Sequence, residues 1–254
     1  MVLGLAMCFT LGQPGAAGAR SGATADEFDM RAGSPPDPGL WGYDTGPRWG
    51  AGGEVQTYTN STDNVYQDGD HLVLQAIKTD GGYTSGRIKT QGRFEMTYGR
   101  VEARIKMPPG PGTLPAFWLL GSDYPEVGHP ESGEIDIIEY VRGALHHTLH
   151  GPGTGEDGVS RSWVPAFDPS AEFHTYWAER SPDMITIGVD DSTTAVFTPA
   201  SLPDGATWVY DKPMFAVLNF AVGSEGSWAG TPPERTPFPQ QMVVDWFRFT
   251  ASED

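Results

Sequence analysis

The stretch Gly133-Glu134-Ile135-Asp136-Ile137-Ile138-Glu139-Tyr140 decides how this chain is read. Residues two apart on a β-strand share a face. Glu134 and Asp136 therefore point one way, and Ile135 and Ile137 the other. Strict alternation would then put Ile138 among the acids and Glu139 on the apolar face, where an unpaired carboxylate is costly. One extra residue, a β-bulge, returns Glu139 to the acid side. The strand then carries three carboxylates in a row on one face.

The surrounding sequence supports strands. Helical periodicity is almost absent, and short alternating runs recur at 71–77, 85–89, 93–107, 113–120, 134–141, 146–149, 173–180, 184–189, 214–222 and 241–249. Turn residues separate them: Asp68-Gly69-Asp70, Asp80-Gly81-Gly82, 108–112, 151–158 and Pro232-Pro233. Many short strands with Gly- and Pro-rich connections read as an all-β sandwich of jelly-roll type. Residues 199–203 read as a short helical turn. Glu27-Phe28 and 243–249 look like terminal strands that lie side by side. A length of 254 residues suits one domain, taken as 26–254.

The formal net charge of −17 argues against partners rich in phosphate, both nucleic acid and anionic membrane, and is compatible with a neutral polymer. No stretch is long and apolar enough to span a bilayer. Cys8 is the single cysteine, which excludes an intramolecular disulfide. Residues 1–11 read as an apolar leader core, followed by the small-x-small patterns Ala17-Gly18-Ala19 and Ala23-Thr24-Ala25. A signal peptide, or the remnant of one, is expected over 1–25, and a secreted monomer after it. Met7 is too large for the residue before a lipoprotein cysteine, so lipid anchoring at Cys8 is not expected.

Taken alone, the acid row describes the wet face of an amphipathic edge strand, a set of oxygen ligands for a metal, or the carboxylate pair of glycoside hydrolysis. With the bulge, Glu134 and Glu139 stand four strand positions apart, roughly 13 Å along the backbone. Two long glutamate side chains can close that gap toward the ~5–5.5 Å of a retaining pair. The assignment adopted is Glu134 as nucleophile, Glu139 as acid/base and Asp136 as the partner of Glu134. His146, His147 and His150 lack an HExxH helix, so they do not suggest zinc. No G-x-S-x-G elbow supports a serine hydrolase.

Residues 133–140 match the E-x-D-x-x-E signature of glycoside hydrolase family 16 in its bulged form. Thr113–Gly121 (TLPAFWLLG), 83–90 (YTSGRIKT), 98–106 (YGRVEARIK), 147–152 (HTLHGP) and 238–242 (FPQQM) resemble its bacterial endo-β-1,3-glucanases, the laminarinases. The resemblance implies a jelly roll with a substrate cleft, a retaining mechanism, a β-glucan substrate and no cofactor required for catalysis. It further implies cleft roles for Trp118, His150, Arg87, Asn64, Asn219 and Trp228. A structural calcium ion on Glu27, Gly69 and Asp245 would lie away from the acids. Leu114, Arg180, Gly188 and Asp191 depart from the family and put its substrate preference in question here. A glucan-binding module without activity, or a hydrolase of agarose, carrageenan or mixed-linkage glucan, remains open at this level.

Overall fold

The computed structural model describes residues 23–47 and 53–252. The expected leader lies mostly outside the described residues. Among the described residues the strands, in chain order, are β1 (Thr24–Asp26), β2 (Gly42–Tyr43), β3 (Gly46–Pro47), β4 (Gln56–Tyr58), β5 (Val65–Gln67), β6 (Leu72–Thr79), β7 (Gly82–Ser85), β8 (Arg87–Lys89) and β9 (Gly99–Lys106). They continue as β10 (Thr113–Gly121), β11 (Glu134–Val141), β12 (Ala144–His150), β13 (Val159–Trp163), β14 (His174–Ser181), β15 (Met184–Val189), β16 (Ser192–Phe197), β17 (Met214–Val222) and β18 (Gln240–Ala251). One helical turn, α1, spans Tyr124–Val127, and the expected turn near 199 is a 3-10 turn at Pro199–Ser201.

The strands form two sheets. Seven run in the order β13-β12-β11-β10-β17-β8-β2. Eleven form the other sheet, β16-β15-β14-β9-β18-β6-β7-β4-β3, with β1 beside β18 and β5 beside β6. Leu119, Ile135, Ile137, Ile138, Leu149, Leu218 and Phe220 of the smaller sheet meet Leu74, Val101, Ile105, Tyr176, Ile187 and Phe247 of the larger in one buried core. Alternation in β10 and β17 produces this. Phe117 and Leu119 face inward, while Ala116, Trp118 and Leu120 join Phe215 and Val217 in a second apolar cluster on the outer face. The smaller sheet therefore has two apolar surfaces, one for the sandwich and one beneath the acids.

The N-terminal strand pairs with β18 as expected, but through Thr24–Asp26 rather than Glu27-Phe28. Phe28 is a positive-φ residue just past the end of β1. β1 thus includes Thr24 and Ala25, which fall within the leader segment expected from the sequence. The pair does not close the sheet edge, because β18 lies in its middle, with β9 along its other side.

Candidate active site

The bulge is present. β11 pairs β12 with Asp136 opposite Thr148 and Glu139 opposite His146, so two residues of β11 face one of β12. Against β10, Trp118 is opposite Asp136 and Phe117 opposite Ile138, which leaves Ile137 as the extra residue. Ile135, Ile137 and Ile138 are all fully buried between the sheets. Gly133, which enters the strand at φ 72°, has no room for a Cβ: one would stand 2.9 Å from Val209 Cγ2.

Pairing of β11 with its neighbours lays out the outer face as three rows. One runs His150, Glu134, Leu120, Phe215; the next Thr148, Asp136, Trp118, Val217, Lys89; the third His146, Glu139, Ala116, Asn219, Arg87. The acids therefore stand among His150, Trp118, Asn219 and Arg87, four of the residues expected to line a cleft. Trp118 donates from Nε1 to Asn219 Oδ1 at 2.6 Å, and Asn219 Nδ2 donates to Tyr58 Oη at 3.1 Å. Arg87 lies over the Trp118 ring, 4.8 Å from its centroid, and pairs with Asp44 at 3.0 Å. Trp118 is only 8% exposed. It is thus a supported floor, with its ring covered by a guanidinium, rather than an open stacking platform. Trp228 is the exposed ring, 42% accessible, and it meets His146, the cross-strand neighbour of Glu139, edge-on at 4.7 Å. Leu114 packs against the outer apolar cluster, on the same face as the acids.

Electrostatics separate the two glutamates. Burial pushes Glu134 up to about 8, helped by Asp136, while His150 and Arg87 pull it back. Burial also pushes Glu139 well above the ordinary carboxylate range, reinforced by Asp136, Glu134 and Glu54, and no cation offsets it. Of the two, Glu139 is the one built to hold a proton. Burial opposes a charge on His150, but Asp136 and Glu134 outweigh it and its pKa rises.

Other expected residues lie elsewhere. The Asn64 amide is buried and spent on Thr59, Gln75 and Thr84. Asp245, at a bulge in β18, pairs with Arg104, and the Glu27 carboxylate pairs with Arg248. The calcium expected on the backbone carbonyls of Glu27 and Gly69 and the Asp245 side chain would share that carboxylate with Arg104, which holds one of its two oxygens. Arg180 and Gly188 do not bear on the outer face at all. Both belong to the larger sheet, where Arg180 is buried and donates to the carbonyls of Met96, Tyr210 and Lys212. A Cβ on Gly188 would collide with the Trp177 ring. These two departures from the family therefore lie in the packing of the opposite sheet.

Three residues escaped the sequence reading. Glu54, its own pKa raised by burial, adds a fourth carboxylate that acts on Glu139. His129, after a loop and before cis-Pro130, places Nε2 3.6 Å from Glu134 Oε2. His147 is fully buried and bonds from Nδ1 to the carbonyl of Ile137, the bulge residue, at 2.6 Å. Its Nε2 meets Thr194 Oγ1 of β16 at 2.9 Å. A carbonyl can only accept, so Nδ1 carries the proton and Nε2 is the acceptor. The alternation of β12 could have placed His147 inward, opposite the bulge, but nothing in the sequence marks Thr194 as its partner.

Residues 52–248 match the family described as glycosyl hydrolases family 16. The chain belongs to that family. It is 37% identical over 246 residues to a beta-glucanase of Rhodothermus marinus, covering 88% of this chain and 82% of the relative. It is 30% identical over 253 residues to glucan endo-1,3-beta-glucosidase A1 of Niallia circulans, covering 88% of this chain but only 36% of that longer protein. Among solved structures, the catalytic domain of an endo-1,3-beta-glucanase (laminarinase) from Thermotoga petrophila superposes with a TM-score of 0.82 at 36% identity, covering 91% of this chain and 97% of that one. The family 16 domain described here is thus a glycoside hydrolase with the jelly-roll fold of the laminarinases, and the acid row is not merely a wet strand face.

Proposed function

We propose that this family 16 enzyme is a retaining endo-β-1,3-glucanase that cuts internal linkages of β-glucan by double displacement. The observation that carries the reading is the asymmetry of two buried glutamates on one bulged strand: His150 and Arg87 draw Glu134 back toward the carboxylate, while Asp136, Glu134 and Glu54 add to the effect of burial on Glu139. The similarity to beta-glucanase and laminarinase proteins supports the choice of polymer.

In the first step Glu139 donates its proton to the glycosidic oxygen as the Glu134 carboxylate attacks the anomeric carbon. The C–O bond to the leaving sugar breaks and a glycosyl ester on Glu134 forms. In the second step water attacks the same carbon, Glu139 takes its proton, and the ester bond breaks to return Glu134 as a carboxylate. Two inversions restore the starting configuration. Asp136, buried between the glutamates, opposes their simultaneous ionisation and so keeps one proton in the site before substrate arrives. His150 supplies an N–H beside Glu134, and Trp118 with Asn219 forms the floor. Trp228 gives a sugar an exposed ring face to pack on. The same reading carries a secreted, monomeric enzyme, on the apolar leader at 1–11 and the acidic, cysteine-poor domain.

Release of reducing ends from laminarin, lichenan, agarose and carrageenan tests the substrate, with laminarin expected to be cut fastest. Product NMR should show the β-anomer first; an α-anomer would rule out retention. The roles separate on aryl β-glucosides. Glu139→Gln should regain kcat/KM as the leaving group improves, because the first step then needs no proton, while its kcat stays held down by the second step. Glu134→Gln should lose about 10³-fold or more with every leaving group, since no other group replaces the nucleophile. The reverse pattern would exchange the two assignments.

A further inference from the structure

The same carboxylates stand with two histidines in a compact group. One ligand atom each of Glu134, Asp136 and His150 lies within 4.8 Å of the other two. His150 Nε2 is 3.5 Å from Asp136 Oδ2 and 3.8 Å from Glu134 Oε1. On the far side of Glu134, His129 Nε2 is 3.6 Å from Oε2, and the two imidazole rings are 5.7 Å apart. Asp136 is 4% exposed, and its Oδ2 is buried without a hydrogen-bond partner among the described residues. His150 Nε2 faces that oxygen, but at 3.5 Å it is too far for a well-formed hydrogen bond.

A tetrahedral zinc ion with bonds of about 2.0–2.2 Å holds its ligand atoms about 3.3–3.6 Å apart. The His150–Asp136 gap of 3.5 Å is already of that size, the His150–Glu134 gap of 3.8 Å is slightly wider, and a small inward shift of the Glu134 carboxylate would complete the set. Imidazole with carboxylate suits zinc and its neighbours in the first transition row, whereas calcium and magnesium prefer oxygen alone. We propose that Glu134, Asp136 and His150 form a site for one transition-metal dication such as Zn²⁺, with His129 beside the second oxygen of Glu134. An ion bound there engages the carboxylate that must attack the sugar, so it inhibits the enzyme reversibly.

Calorimetry with zinc chloride in a non-coordinating buffer tests binding without any catalytic readout, so a wrong substrate assignment would not disturb it. Wild type should bind one ion, and Co²⁺ in its place should show the intense visible absorption of a tetrahedral centre. His150→Ala and Asp136→Asn should each weaken binding by no less than the roughly tenfold that losing even an outer partner of a metal costs. His129→Ala should weaken it less. His71→Ala, at the exposed His71–Asp68 pair on another part of the surface, should bind as wild type does. Zinc should lower the rate of glucan hydrolysis with an inhibition constant equal to the calorimetric one, and EDTA should restore it. Absence of stoichiometric binding to wild type would overturn the proposal. So would affinity unchanged in both His150→Ala and Asp136→Asn, with circular dichroism showing each variant folded. Magnesium and calcium binding as tightly as zinc would overturn the choice of ion.

Discussion

At the scale of single residues, His147 has the most to lose. It is fully buried, it satisfies the carbonyl that the bulge frees, and burial holds its pKa down at about 4. His147→Ala removes that bond and opens a cavity, which together should cost roughly 2–4 kcal/mol in urea unfolding. Because the bulge turns Glu139 outward, kcat should fall more than KM rises, and His147→Gln, which keeps a donor, should recover part of both. Equal stability and activity in His147→Ala would show the bulge to be self-supporting. The acids themselves were legible in the sequence, because three carboxylates among isoleucines break the two-residue period in a way only a bulge repairs. His147, Glu54 and His129 were not, because each acts through a partner remote in sequence, and distance along the chain carries no such pairing.

At the scale of elements, β11, β15 and β17 were legible to the residue, since they carry clean apolar faces, whereas β9 starts six residues later than its expected run from 93. The short strands β2, β3, β4, β5, β7 and β13 were not, having two to five residues and little apolar pattern of their own. Neither was β16, whose Ser192-Thr193-Thr194 opening reads as a loop. The bulge offers a test at this scale. Deleting Ile138 leaves a strand that alternates strictly and still points Glu139 outward. The lost isoleucine should cost about 2–5 kcal/mol. Activity should fall yet remain measurable by reducing-sugar release. A folded deletion variant with no activity at all would mean that the bulge sets the geometry of Glu139 and not merely the face it occupies.

At the scale of the molecule, site and stability pull against each other through protons. Glu134 has a folded-state pKa of about 8 against an ordinary 4.5, so the folded protein binds the extra proton and stability declines as pH rises through that interval. Glu139 is shifted in the same direction. His147 runs the other way: the unfolded chain takes up its proton first, so stability declines as pH falls from 6.5 toward about 4. Between about 4.5 and 6.5 the two effects oppose, and above 6.5 the acids are joined by His150, whose raised pKa acts in the same direction. Glu139→Gln should therefore unfold at a higher temperature than wild type at pH 8, by about 2–4 °C for each kcal/mol relieved, while losing activity. A melting temperature at pH 8 equal to or below that of wild type would contradict this balance.

One feature of the larger sheet bears on how the chain is made. β18 has β9 along one side and β6 and β1 along the other. Of the strands described, the one synthesised last is the one the earlier ones need as a neighbour. Until residues 240–251 emerge, β6, β9 and β1 have open edges, and their apolar faces lack Met242, Val244 and Phe247. The hydrolase layer can pair early through β10, β11 and β12, but its backing arrives as a single late event. A nascent chain short of its final strand is therefore an incomplete sandwich with exposed strand edges, and it depends on chaperones or speed at that moment more than at any other.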